Sequence, residues 1–194
     1  VAIEYADLHS ILDAFAHYFH NGQITYEAFV DGVAYGGREY VEHPETFGVP
    51  ERNVAYVQST RKPVDDIIAF LSEHEEELDS LDIVAADTAL YQKIEEQIPL
   101  VTKSVYTTSA VSYRLEISHK NSGKATGLAY VLKLLDITPE ETVAFGDGDN
   151  DAEMLEFAGL GVAMENATEN CKAAADIVCD CCKNDGVARF LYGF

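Results

Sequence analysis

Apolar residues recur at Leu8, Ile11, Leu12, Phe15 and Phe19, the spacing of one helical face. They predict a helix over residues 6–19, closed by Asn21-Gly22. Residues 24–50 are aromatic and glycine-rich without clean periodicity. Residues 53–58 read as a strand. Thr60, Pro63 and the face Val64, Ile67, Ile68, Leu71 predict a helix with proline in its first turn, which places Asp65-Asp66 inside it. An acidic, solvated stretch follows at residues 73–77. Residues 81–85 then read as a strand, 89–97 as a short helix, and 101–107 and 111–118 as two more strands.

The pattern changes at the polar, flexible link of residues 119–123. A helix over 124–135 (face Leu128, Val131, Leu132, Leu135) precedes an apolar strand at 142–146 and a helix at 151–158. A strand at 160–163, a helix at 167–175, a strand at 177–179 and a helix from Gly186 complete the chain. Strands alternating with helices of this length predict a parallel α/β sheet, whereas the first part reads as α+β. The boundary divides the chain into residues 1–118 and 119–194. Hydrophobic residues make up 47% of the 194, enough for a real core.

Charge narrows the range of partners. The formal net charge is −21, and both parts contribute: 21 acidic against 7 basic residues before the boundary, 13 against 6 after it. There is no basic stripe for nucleic acid and no patch for anionic lipid. No apolar run approaches the roughly 18 residues of a membrane span. The first residues lack the basic start and apolar centre of a signal peptide, so a cytoplasmic protein is expected. Cys171, Cys179, Cys181 and Cys182 all lie near the carboxyl end, without the paired spacing of a zinc site. They read as thiols in a reducing compartment. The six histidines form no His-Glu-x-x-His pattern.

The densest chemistry is Gly146-Asp147-Gly148-Asp149-Asn150-Asp151, directly after the apolar strand. The carboxyl end of a parallel strand is where open α/β sheets bind ligands. Carboxylates this close repel one another unless a cation neutralises them, and a hard divalent metal suits oxygen ligands. Asp147, Asp149 and Asp151 have the opening spacing of an EF-hand. That loop also needs glycine at its sixth position and glutamate at its twelfth, which are Ala152 and Ala158 here. Capping of the following helix would use one carboxylate and leave the others unexplained.

The block Gly146-Asp147-Gly148-Asp149-Asn150-Asp151-Ala152-Glu153-Met154-Leu155 resembles the fourth motif of the haloacid dehalogenase superfamily, in its Cof-type sugar-phosphatase branch. The resemblance extends through residues 161–167 and Asp185-Gly186-Val187-Ala188, and upstream to Lys124 and Leu115-Glu116-Ile117. It implies an α/β fold with a Rossmannoid core, its parallel sheet incomplete here, under an α+β cap at residues 1–118 that selects substrate. It implies Mg2+ as cofactor, bound directly by Asp147, with Asp151 at or just outside the metal shell. Asn150 would orient the phosphate or the nucleophile, and Lys124 would neutralise the nucleophile and the transferring phosphoryl. Ala125 departs from the glycine usual after that lysine, and Asp149 falls at a variable position without a role. Tyr35, Tyr56 and Arg61 are possible substrate contacts but read as structural, and His119 borders the implied cleft.

The implied reaction is hydrolysis of small phosphate esters, sugar phosphates foremost, through an aspartyl-phosphate. Its nucleophile belongs to a first motif, Asp-x-Asp-Gly-Thr, which does not occur before residue 147. The chain therefore reads as a carboxyl-terminal portion lacking the first two motifs, and inactive alone. Phosphomannomutase-like phosphotransfer and a non-catalytic metal- or phosphate-binding remnant are the competing readings.

Overall fold

The computed structural model describes residues 2–193, with no side-chain statement for residue 110. The chain forms two compact units, Val1–Lys120 and Asn121–Phe194.

The first unit begins with helix α1 (Tyr5–His20), followed by strands β1 (Ile24–Val30) and β2 (Val33–Gly37). These strands form an antiparallel hairpin. Its two-residue turn is Asp31-Gly32, with φ of 50° and 71°. Paired positive φ values match the right-handed twist of the strands, and Asp-Gly supplies them at little steric cost. The segment that lacked periodicity thus holds a hairpin whose signal was this dipeptide. Helices α2 (Arg38–Glu42), α3 (Glu51–Thr60) and α4 (Ile67–Glu73) follow, with strand β3 (Arg61–Val64) between the last two. Strand β4 (Leu78–Ala85), helix α5 (Thr88–Val101) and strands β5 (Val105–Val111) and β6 (Arg114–His119) complete the unit. The sheet order is β3-β2-β1-β4-β6-β5, with only the β2–β3 pair parallel.

Two expectations are corrected. Residues 53–58 are helical, within α3. Val54 and Val57 stand three apart, and the cluster of Tyr40, Val41, Phe47, Val49 and Val84 covers both. That tertiary contact outweighs the strand preference of valine and tyrosine. No helix starts at Thr60. Pro63 lies in β3, at the edge of the sheet, where a residue without an N–H is tolerated. The helix begins at Ile67, with Asp66 outside it as its cap, accepting the Ile68 and Ala69 amides at 2.9 and 3.0 Å.

One sheet face packs on α1, α4 and α5 through Leu8, Ile11, Phe15, Tyr26, Ile67 and Ile94. Each fully buried side chain of this kind contributes about 1.5–3 kcal/mol. The other face carries charge. Glu27 is fully buried and accepts from Arg61 Nη2 at 2.8 Å, Arg61 Nε at 3.0 Å and the Tyr40 hydroxyl at 2.5 Å. Arg114 bridges Glu27, Asp82 and Glu116 at 3.6, 3.2 and 2.9 Å. The Arg61 guanidinium also lies 5.1 Å from the Tyr56 ring centre, and Tyr35 packs on Phe70. His119 is buried, with Nε2 3.7 Å from Glu4.

The second unit opens with helix α6 (Lys124–Leu135) and strand β7 (Val143–Gly146), then helix α7 (Ala152–Phe157) and strand β8 (Leu160–Met164). Helix α8 (Glu169–Ala174), strand β9 (Ile177–Cys179) and helix α9 (Gly186–Tyr192) follow. The sheet is parallel in the order β7-β8-β9. Among the described residues β7 pairs on one side only, with β8. On α6 only Leu132 is buried, and Tyr130, Leu134 and Leu135 are more than 60% exposed.

Candidate active site

The acidic loop leaves the carboxyl end of β7 and becomes a single 3₁₀ turn, Asp149–Asp151, before α7. Asp151 folds back over the strand end. A β-carbon on Gly146 would stand 2.4 Å from the Asp151 β-carbon, so only glycine leaves room for this fold-back. Asp151 is 4% exposed. Its Oδ2 accepts the backbone N–H of Asp147 at 2.9 Å and of Gly148 at 3.0 Å, while Oδ1 accepts from the Lys124 ammonium. Burial alone works against the charged carboxylate. The bonds from Lys124 and the Gly148 and Asp147 amides outweigh it, and hold the carboxyl below its usual range.

Lys124 is the first residue of α6, following Gly123 as its cap. A cation in the first turn opposes the helix dipole, a cost of about 0.3–1 kcal/mol. The charge-assisted bond to Asp151 contributes about 1.5–3 kcal/mol and wins. The Lys124 side chain remains 48% exposed, so the cation also faces solvent.

Asp147 is exposed. Its carbonyl accepts the Thr168 amide at 3.0 Å, and its Oδ2 lies 3.4 Å from Asn166 Nδ2. Asp149, without an expected role, accepts the Thr168 hydroxyl at 2.5 Å and so ties the loop to the start of α8. Asn150 is half-buried, its Oδ1 against Gly148. Lys124, Asp147, Asn150 and Asp151 therefore converge on the end of β7. Asn166 and Thr168 join them without having been singled out. Their signal was positional, since polar residues just after an apolar parallel strand sit at the ligand-binding edge of such a sheet.

The donor set can be tested against magnesium. No group of three or more His, Cys, Asp or Glu side chains converges among the described residues. Magnesium commonly keeps several waters and takes one or two carboxylates together with substrate phosphates. Asp147 fits as one such carboxylate, being exposed and lightly tethered. Asp151 has both oxygens engaged, with Lys124 as its counter-charge, and would have to release a partner to bind a metal directly.

A sequence model of haloacid dehalogenase-like hydrolases matches residues 2–191. A phosphoglycolate phosphatase from Methanopyrus kandleri is 50% identical over 80 residues, which are 41% of this chain and 34% of that protein. The chain thus spans about a third of the length of this relative. Among solved structures, a haloacid dehalogenase-like hydrolase from B. subtilis aligns with TM-score 0.77 and 23% identity, over 98% of this chain and 71% of the other. A subclass IIB sugar phosphatase of the superfamily aligns with TM-score 0.71 and 19% identity, over 99% and 68%. The likeness to both structures establishes the fold.

Proposed function

The chain belongs to the haloacid dehalogenase-like hydrolase family, and we propose that it forms part of a magnesium-dependent phosphatase of small phosphorylated metabolites. One observation carries the reading: Lys124, Asp151 and the exposed Asp147 meet at the carboxyl end of a parallel strand. Phosphoryl transfer demands positioning plus positive charge near the equatorial oxygens.

Asp147 would hold the metal, which when bound supplies a Lewis-acidic charge for the phosphoryl oxygens. Asp151 acts on its neighbours rather than on substrate. It aims the Lys124 ammonium, and its grip on the Asp147 and Gly148 amides sets the loop. Asn150 would orient the phosphate or the attacking group. The nucleophilic carboxylate would come from outside these 194 residues, since no Asp-x-Asp precedes Asp147. The one-sided pairing of β7 suits a further parallel strand beside it. Residues 1–118 would act as the substrate-selecting cap.

Sugar phosphates and short phosphorylated hydroxy acids are the substrate classes, the second suggested by the phosphoglycolate phosphatase relative. A cytoplasmic setting and small-molecule partners fit this reading. Among the described residues no helix is long and apolar enough to cross a membrane. The test is a phosphate-release assay with magnesium on the 194-residue chain and on a longer form carrying an upstream Asp-x-Asp-Gly-Thr. Turnover is expected only in the longer form, and it should vanish on Asp147→Ala. Turnover that survives that substitution would overturn the proposal.

A further inference from the structure

Leu12, Asp13, Ala16, Phe19 and His20 recur at three- and four-residue spacing, so they share one stripe of α1. The small side chain of Ala16 leaves a gap in the middle of that stripe. Together with Ile68 of α4 and Tyr26 of β1, these residues line a cavity of about 200 Å³. Leu12, Ala16, Phe19 and Ile68 are its half-buried apolar walls, and Asp13 and His20 stand exposed at its mouth. Tyr26 forms the floor. It is fully buried, yet its hydroxyl has no hydrogen-bond partner among the described residues. A strand side chain stands roughly perpendicular to its sheet, so this hydroxyl, at the tip of the ring, lies at the level of α1 and α4. Phe19 stacks on the Tyr26 ring, with centroids 5.4 Å apart and planes at 27°, and holds it in that attitude. Burial raises the pKa of the phenol, which keeps it protonated and able to donate. Buried polar groups are normally hydrogen-bonded, so an unpartnered donor under a cavity marks a place for an acceptor that enters it.

We propose that this cavity between α1 and α4 binds a single-ring phenolic amine, its phenolic oxygen accepting from the Tyr26 hydroxyl and its ammonium meeting Asp13. Size sets the ring count. An apolar cavity of about 150 Å³ takes up benzene, so this one holds one ring with a short substituent. Ala16, Phe19 and Ile68 offer the ring an apolar slot, with Phe19 available for stacking. Charge sets the polar end. Asp13 is a carboxylate at the mouth, and a chain of net charge −21 draws cations toward it. The site lies on the helical face of the sheet, because Tyr26 and the neighbouring Glu27 point to opposite faces of β1. Neither metal nor phosphate enters it, so it stands apart from the phosphatase reading.

The test titrates the full 194-residue chain with two probes, tyramine and p-cresol, the second having the ring and phenolic oxygen without the amine. Methyl NMR locates each probe and calorimetry measures its affinity. Shifts are expected at Leu12, Ala16 and Ile68, with tyramine bound more tightly than p-cresol. Tyr26→Phe should weaken both probes roughly two- to tenfold, the worth of one neutral hydrogen bond. Its melting temperature without probe should not fall, since the hydroxyl it loses has no partner. Asp13→Asn should weaken tyramine roughly two- to fivefold, as for an exposed ion pair, and leave p-cresol unchanged. Ala16→Leu, checked for folding by circular dichroism, should close the gap and abolish binding of both. Equal affinity of Tyr26→Phe and the parent for p-cresol overturns the proposal. So does a fall in the melting temperature of Tyr26→Phe, because the hydroxyl would then have a partner within the protein. Absence of binding overturns it too, as do shifts concentrated on Leu134 and Leu135 of the exposed α6 face.

Discussion

Lys124 and Asp151, 27 positions apart in sequence, meet at the end of β7, where the ammonium donates to one carboxylate oxygen and two loop amides donate to the other. A buried carboxylate is stable only when its oxygens are satisfied, and Asp151 meets that condition entirely within its own unit. The pair gives the loop its shape and leaves Asp147 and Asp149 exposed, Asp149 holding the Thr168 hydroxyl.

Asp151→Asn should lower stability by about 2 kcal/mol, the loss of charge-assisted bonds. The pH dependence has a definite sign. The folded-state pKa of Asp151 lies below its unfolded value, so its contribution is fully present above about pH 4 and fades as pH falls through the lower folded value. Urea midpoints between pH 2 and 7 should therefore fall less steeply at the acid end for the variant than for the parent.

Asp147→Asn should separate binding from folding. Among the described residues the exposed side chain has one long hydrogen bond, at 3.4 Å, so the melting temperature should stay within about 2 °C of the parent. Mn2+ binding, followed by calorimetry, should fall at least tenfold.

Gly146→Ala should cost about 1–3 kcal/mol, because the new β-carbon would stand 2.4 Å from the Asp151 β-carbon. Asp151 must move, so Mn2+ affinity should drop together with the melting temperature, unlike in Asp147→Asn. Unchanged affinity would show that the fold-back of Asp151 is not needed to set the loop.

Arg61→Met should destabilise the first unit by about 3 kcal/mol by removing two bonds to the fully buried Glu27, which keeps the Tyr40 hydroxyl and Arg114 as partners. Glu27→Gln combined with Arg61→Met should recover part of that loss. Circular dichroism melts of the single and double variants give the coupling directly.

The helix at 6–19, the helix at 124–135 and the strand at 142–146 were legible because each is decided by a short, repeated apolar pattern. The Asp-Gly turn at residues 31–32 was written in the sequence but hidden by the absence of periodicity around it. Residues 53–58 misled because valine and tyrosine favour strands until a partner surface is supplied, here by Tyr40, Phe47 and Val84. The Glu27–Arg61–Arg114–Asp82 network had no local signal, since its members come from four strands.

By itself the sequence determined that three carboxylates follow an apolar strand in one loop, because that depends only on neighbouring residues and their spacing. Through its motif it also tied Lys124 to that loop. The tertiary structure decided how the carboxylates divide. Asp151 turns inward onto Lys124 and the loop amides, Asp149 is taken by Thr168, and Asp147 is left exposed with a long contact from the Asn166 amide. Spacing cannot make that division. It depends on the room at Gly146 and on donors delivered from α6 and from the turn after β8, which only packing brings together.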